Sequence, residues 1–129
     1  MTIVGKTFLI PRPPTYKIDC LFIVIAPDKD PNKVLMVNVT NSLDNGDNSC
    51  VIFPHDHPFV IRKSYINYAD AQLGDIPSIS EAVKTELIKK HQSVSYDLLW
   101  KIQQVGLKSI AISLKHKEIL ALYIQNHPN

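Results

Sequence analysis

The chain has 129 residues, 45% of them hydrophobic and 20% charged, with a net charge of +2. That length suits one domain with a single modest core, and the composition excludes a disordered chain. A charge so close to zero gives no overall electrostatic case for nucleic acid, and the longest apolar run, Cys20 to Ala26, is far too short to span a bilayer.

The first residues, Met1 to Thr7, lack a basic segment followed by a long apolar run, so no secretory signal is expected and a cytoplasmic location is. A short strand is expected over Lys6 to Ile10. Pro11-Arg-Pro-Pro14 then forbids regular structure and makes a stiff connection. From Cys20 to Tyr68 the chain reads as a meander: Cys20 to Ala26, Lys33 to Thr40, Ser49 to Phe53, Val60-Ile61 and Ser64 to Tyr68. These β-branched and aromatic runs are bounded by clusters of Pro, Asn, Asp and Gly. Cys20 and Cys50 both fall in strands, and without an export signal they are expected to be reduced.

After Tyr68 the apolar period changes from two to about 3.6. Ser78-Ile-Ser-Glu81 reads as a capping box opening a helix to about Lys90, with Ile79, Ala82, Val83 and Leu87 on one face. A second helix is expected from Ser95 to a stop at Gly106, with Leu98, Leu99, Ile102 and Val105 inward. A third covers Ser113 to Gln125, with Leu114, Leu120, Tyr123 and Ile124 inward, and Ile110-Ala-Ile112 is open to reading as a short strand. Residues 1–75 hold seven Lys/Arg against eight Asp/Glu, a net of −1, and residues 76–129 hold seven against four, a net of +3. Strands followed by helices indicate an α+β fold, and short antiparallel strands are expected to curl into a small barrel carrying a C-terminal helical extension.

The strand pattern resembles the MazF/PemK family of toxin ribonucleases over residues 16–73. It is carried by Leu21-Phe-Ile-Val-Ile-Ala-Pro27, by Val34-Leu-Met-Val-Asn-Val-Thr-Asn-Ser42, and by Ser64-Tyr-Ile-Asn-Tyr-Ala-Asp-Ala71, where Asp70-Ala71 stands in place of the family's Asp-Gln. The resemblance implies an SH3-like barrel, a metal-independent endoribonuclease or RNA-binding toxin of bacterial or phage origin, RNA as substrate, and an antitoxin protein as partner. It also implies a hydroxyl at Thr40, which matches the Thr or Ser ending the family's second core strand, and a basic group before Cys20, for which Arg12 and Lys17 are the candidates.

Two histidines in Pro54-His-Asp-His-Pro58 stand apart from this pattern. In extended chain His55 and His57 would share one face, which suits zinc, but two ligands do not complete a site and no metal or other cofactor is assigned. Both titrate near neutrality and are candidates for an acid–base pair, with Arg62 and Lys63 close enough in sequence to hold a phosphate. The competing reading is a proline-braced surface loop. Tyr16, Tyr65 and Tyr68 flank Lys17 and Lys63 and are the candidates for stacking on RNA bases. Trp100 reads as a core anchor or an interface residue, and His91, His116 and His127 read as solvent-facing. The rival function is a non-catalytic protein-interaction module on a small β-barrel, and the helical tail is equally suited to covering a barrel edge or making a homodimer.

Overall fold

The computed structural model describes residues 3–14, 18–42 and 47–127. Six strands, β1 (Thr7–Pro11), β2 (Asp19–Pro27), β3 (Lys33–Thr40), β4 (Val51–Ile52), β5 (Ser64–Asp75) and β6 (Lys89–His91), form one sheet in the order β4-β5-β3-β2-β1-β6. Every neighbouring pair is antiparallel. Helices α1 (Ile76–Lys84), α2 (Tyr96–Lys108) and α3 (Leu114–Asn126) complete an α+β fold. The expected closure into a barrel is not made among the described residues: β4 and β6 stand at opposite edges of an open sheet.

Side-chain alternation along the strands divides the core in two. Leu21, Ile23, Ile25, Leu35, Val37, Val39, Ile66 and Tyr68 cluster with Leu98 and Ile102 of α2 and Leu120 of α3. The opposite set, Phe8, Phe22, Val24, Val34 and Met36, packs on Ile79 of α1.

Several boundaries differ from the sequence reading. Residues Val60 and Ile61 are not a strand; Val60 is buried in a turn and Ile61 is exposed. β5 instead runs on from Ser64 through Asp75, held by β3 across a register shift between Met36 and Asn38. Gln72 to Asp75 pair with β3 again after residues 68–71, which bulge without a β3 partner. The helix cap is Asp75 rather than Ser78: its carboxylate accepts the Ser78 N–H at 3.0 Å and the Ser78 hydroxyl at 2.5 Å. The same carboxylate meets Lys33 Nζ at 3.1 Å. α1 ends at Lys84 because Glu86 takes a left-handed backbone, φ 63°, and the chain reverses into β6. Leu87 is accordingly exposed.

α2 and α3 begin directly after Ser95 and Ser113, near the expected starts, and these serines cap them, accepting from Leu98 N and His116 N. α2 continues past Gly106 to Lys108. Gly106 serves a close approach instead of a stop, since a Cβ there would lie 2.9 Å from Leu120 Cδ2 and 3.1 Å from Tyr68 Cε1. Leu114 and Ile110 are exposed, and residues 110–112 form no strand. Trp100 is 47% exposed beside an exposed Tyr96, so it is not a core anchor. Among the described residues no helix is long and apolar enough to cross a membrane.

Candidate functional site

β3 carries Met36, Asn38 and Thr40 onto the face shared with α1. The apolar residues at the Met36 end pack on α1, whereas the Thr40 end carries polar side chains. Asn38 lies opposite Phe22 on one side and Asn67 on the other, and Thr40 lies opposite Tyr65.

Into this polar half the end of β1 brings Arg12. Its NH1 donates to Asp70 Oδ2 at 2.6 Å, and Asn38 Nδ2 donates to the same oxygen at 2.5 Å. The guanidinium carbon stands 5.4 Å from the centre of the Phe22 ring. A charge-assisted bond to a carboxylate that an amide also steadies, together with a ring, thus holds one guanidinium whose remaining N–H donors have no partner among the described residues. About a third of each side chain of the Arg12–Asp70 pair is exposed, so the pair is within reach of solvent.

Cys20 is half-buried near this cluster. Burial pushes its thiol pKa up, Arg12 pulls it down, and Asp70 and Asp19 raise it again. Burial likewise raises the Cys50 thiol, against the opposing Tyr68 hydrogen bond and Lys101 charge. Both cysteines are free. Alkylation of the native protein at neutral pH is expected to label Cys20 well before the fully buried Cys50, with both reacting equally after denaturation, as peptide mass mapping over time will read.

Adjoining the polar face, a cleft of about 340 Å³ is lined in part by Asp19, Cys20, Thr40, Asn41, Ile61 and Arg62. Thr40 and Arg62, far apart in sequence, therefore face one space. The Thr40 hydroxyl accepts the Ser42 N–H at 3.1 Å, which leaves its own proton to donate. Ile18 and Ile61, 71% and 81% exposed, form an apolar rim.

The two histidines separate. Pro54–Asp56 is a 3-10 turn rather than extended chain, so the shared face expected for them does not form. The His55 side chain is 81% exposed, stacks on Phe53 and lies 3.4 Å from the Asp56 carboxylate. His57 is 3% exposed and both ring nitrogens are engaged. Nδ1 accepts the Phe59 N–H at 3.1 Å, which fixes Nε2 as the donor to the Gln92 carbonyl at 2.6 Å. Burial lowers its pKa, with a smaller contribution from His91. An imidazole held this way is a structural tie, not a free acid or base. His91 is half-buried against His57 and Phe59 rather than solvent-facing. Among the described residues no group of three His, Cys, Asp or Glu could hold a metal.

Tyr68, expected to stack on bases, is fully buried, and its hydroxyl donates to the Ile102 carbonyl at 2.6 Å. No face of its ring is free for a base. Tyr65 is half-buried on the polar face, and Arg62 and Lys63 are exposed. Lys17 and Tyr16 lie outside the described residues. Sequence reasoning missed Asp70 as the partner of Arg12 and Asn38 as the second donor to Asp70, although Asn38 is the only polar residue between Lys33 and Thr40 and so carried a signal. No family model, curated protein or solved structure matches this chain.

Proposed function

We propose that this chain is a MazF/PemK-like toxin that binds single-stranded RNA and cleaves it without a metal, in the cytoplasm and under the control of an antitoxin protein. The observation that supports this best is the Arg12 guanidinium, held by Asp70, to which Asn38 also donates, on a polar sheet face beside the cleft of Thr40 and Arg62. Cleavage next to a 2′-hydroxyl needs a cation for the developing phosphorane charge, which Arg12 and Arg62 supply, and groups that move protons. Thr40 offers a hydroxyl donor, and His55 is the exposed imidazole of the β portion. Tyr65 and Lys63 flank the face as RNA contacts. His57 and Tyr68 are committed to the fold and take no part in this reading.

Purified chain incubated with single-stranded RNA of varied sequence tests it. Arg12→Ala is expected to lower the cleavage rate by roughly 10²–10³-fold, and Arg62→Ala and Thr40→Ala by smaller factors, with circular dichroism unchanged. Folded wild-type protein that leaves all RNA uncut would defeat the enzyme reading. The apolar rim of Ile18 and Ile61 favours a second reading, a module that holds a protein partner at the same cleft. That reading stands first if RNA is neither cut nor bound.

A further inference from the structure

Arg12 follows the C-terminal end of β1; at the N-terminal end of the same strand lies a second recess, a cleft of about 270 Å³ between α1, the chain entering β1, and β6. Its floor is apolar. Phe8 and Ile79 are buried in the core cluster that α1 covers, and Ile3, Ile76 and Val83 pack against that cluster partly buried. Its rim is cationic. Lys6 comes from the chain before β1, Lys84 from the last turn of α1, and Lys90 from β6, directly opposite Phe8. Lys6 is half-buried, and Lys84 and Lys90 are exposed.

Among the described residues no acid lines this cleft. The pattern of α1 accounts for that. Ile76, Ile79, Ser80, Val83 and Lys84 recur at helical spacing and share one face. Glu81, the acid of α1, lines a separate depression with Pro77, Ala82 and Thr85. The cations in ion pairs among the described residues are Arg12, Lys33 and, when protonated, His55, so Lys6, Lys84 and Lys90 have no acidic partner there.

We propose that this cleft binds a small amphipathic anion, a short alkyl chain ending in one carboxylate or phosphate, with the chain on the apolar floor and the head among the lysines. Charge and size select the occupant. A neutral apolar guest leaves three like charges uncompensated, and a purely ionic one leaves the floor wet; a molecule with both parts answers both. The volume lies just below the roughly 300–1,000 Å³ of sites for drug-sized ligands, which suits a short tail. An ammonium is a compact point charge with rotatable donors, so it accommodates either head group.

Octanoate and octyl phosphate, titrated below their micelle-forming concentrations into the full chain with labelled Ile and Val methyl groups, test this. Saturable shifts are expected at Ile3, Ile76, Ile79 and Val83, and the tighter of the two ligands names the head group. Octanol, with the same chain and no charge, is expected to bind at least tenfold more weakly. The double variant Lys84→Gln, Lys90→Gln is expected to weaken binding of the anions by about tenfold, the worth of two exposed ionic contacts, and to leave octanol unaffected. Both positions are exposed, so the variant is expected to melt as the wild type does. No saturable shift with either anion, equal affinity for octanol, or shifts confined to other parts of the molecule would overturn the proposal. So would an acidic peptide that binds this cleft when both anions fail, which would make it a protein contact. The cleft is separate from the space that Thr40 and Arg62 line, so amphiphile binding and RNA cleavage stand or fall separately.

Discussion

Tyr68→Ala is expected to destabilise the protein by about 3–5 kcal/mol, the range for removing a large buried ring, and to lower the melting temperature by roughly 10–20 °C for a domain of this size. The ring lies between the sheet and α2, fully buried, with Gly106 against its edge and Ile102 O accepting its hydroxyl proton. Truncation leaves a cavity that neither the strand nor the helix can collapse into without losing register. Tyr68→Phe isolates the hydroxyl and is expected to cost only about 1 kcal/mol, the net worth of one hydrogen bond. Gly106→Ala probes the same contact from the helix. Alanine improves helix propensity by about 1 kcal/mol, but its methyl would sit 2.9 Å from Leu120 Cδ2 and 3.1 Å from the Tyr68 ring. Overpacking of this kind costs about 1–3 kcal/mol, so net destabilisation is expected. In a Leu120→Ala background the penalty should shrink, because the nearest atom is gone. Urea denaturation of the single and double variants measures that coupling, and a Tyr68→Ala loss below that of Tyr68→Phe would show the burial to be misassigned.

The apolar runs of β2 and β3, and the starts of α2 and α3, were legible because hydrophobic period is a local signal. The extension of β5 to Asp75 was not. Ala69, Asp70, Ala71 and Gln72 have no strand preference of their own; a non-local partner, β3, takes up the chain again from Gln72 to Asp75 after a bulge at residues 68–71. The same holds for β6, whose Lys89-Lys90-His91 reads as helix until the left-handed Glu86 turns the chain back onto β1. Position 86 carries no glycine to announce that turn. In the candidate site, Arg12, Thr40 and Arg62 were marked by chemistry and resemblance, but Asp70 holds Arg12 across 58 residues and Asn38 bonds Asp70 across 32. His57 and Tyr68 were misread for one reason. Polar tips suggest exposure in a sequence, and only the fold shows that each tip meets a backbone carbonyl indoors.

Acidification should loosen the loop that His57 ties down. The neutral imidazole uses Nδ1 as an acceptor for Phe59 N–H and Nε2–H as a donor to Gln92 O, a carbonyl that also accepts from the Thr7 hydroxyl at 2.8 Å. One ring thus joins the 54–60 segment to the junction of β6 with α2, beside β1. Protonation would turn Nδ1 into a donor facing another donor, next to His91 at 5.1 Å between ring centres. Burial therefore holds the folded-state pKa below the ordinary 6.5. The sign follows: between that lowered value and about 6.5 the unfolded chain binds the extra proton. His57 then contributes its full stability above pH about 6.5 and loses it progressively as pH falls through the window beneath. His57→Ala is expected to cost about 2–4 kcal/mol at neutral pH, from the orphaned Phe59 N–H and the cavity together. His57→Phe fills the space without a titrating group, so its stability should fall less steeply with acid than that of the wild type. The difference between the two slopes removes the background from His116, which burial also shifts downward. Nitrogen-15 spectra of the imidazole should show the Nε2–H tautomer at neutral pH. A ring that carries its proton on Nδ1, or titrates above its ordinary value, would sink the tie, and with it the argument that His57 is unavailable for proton transfer.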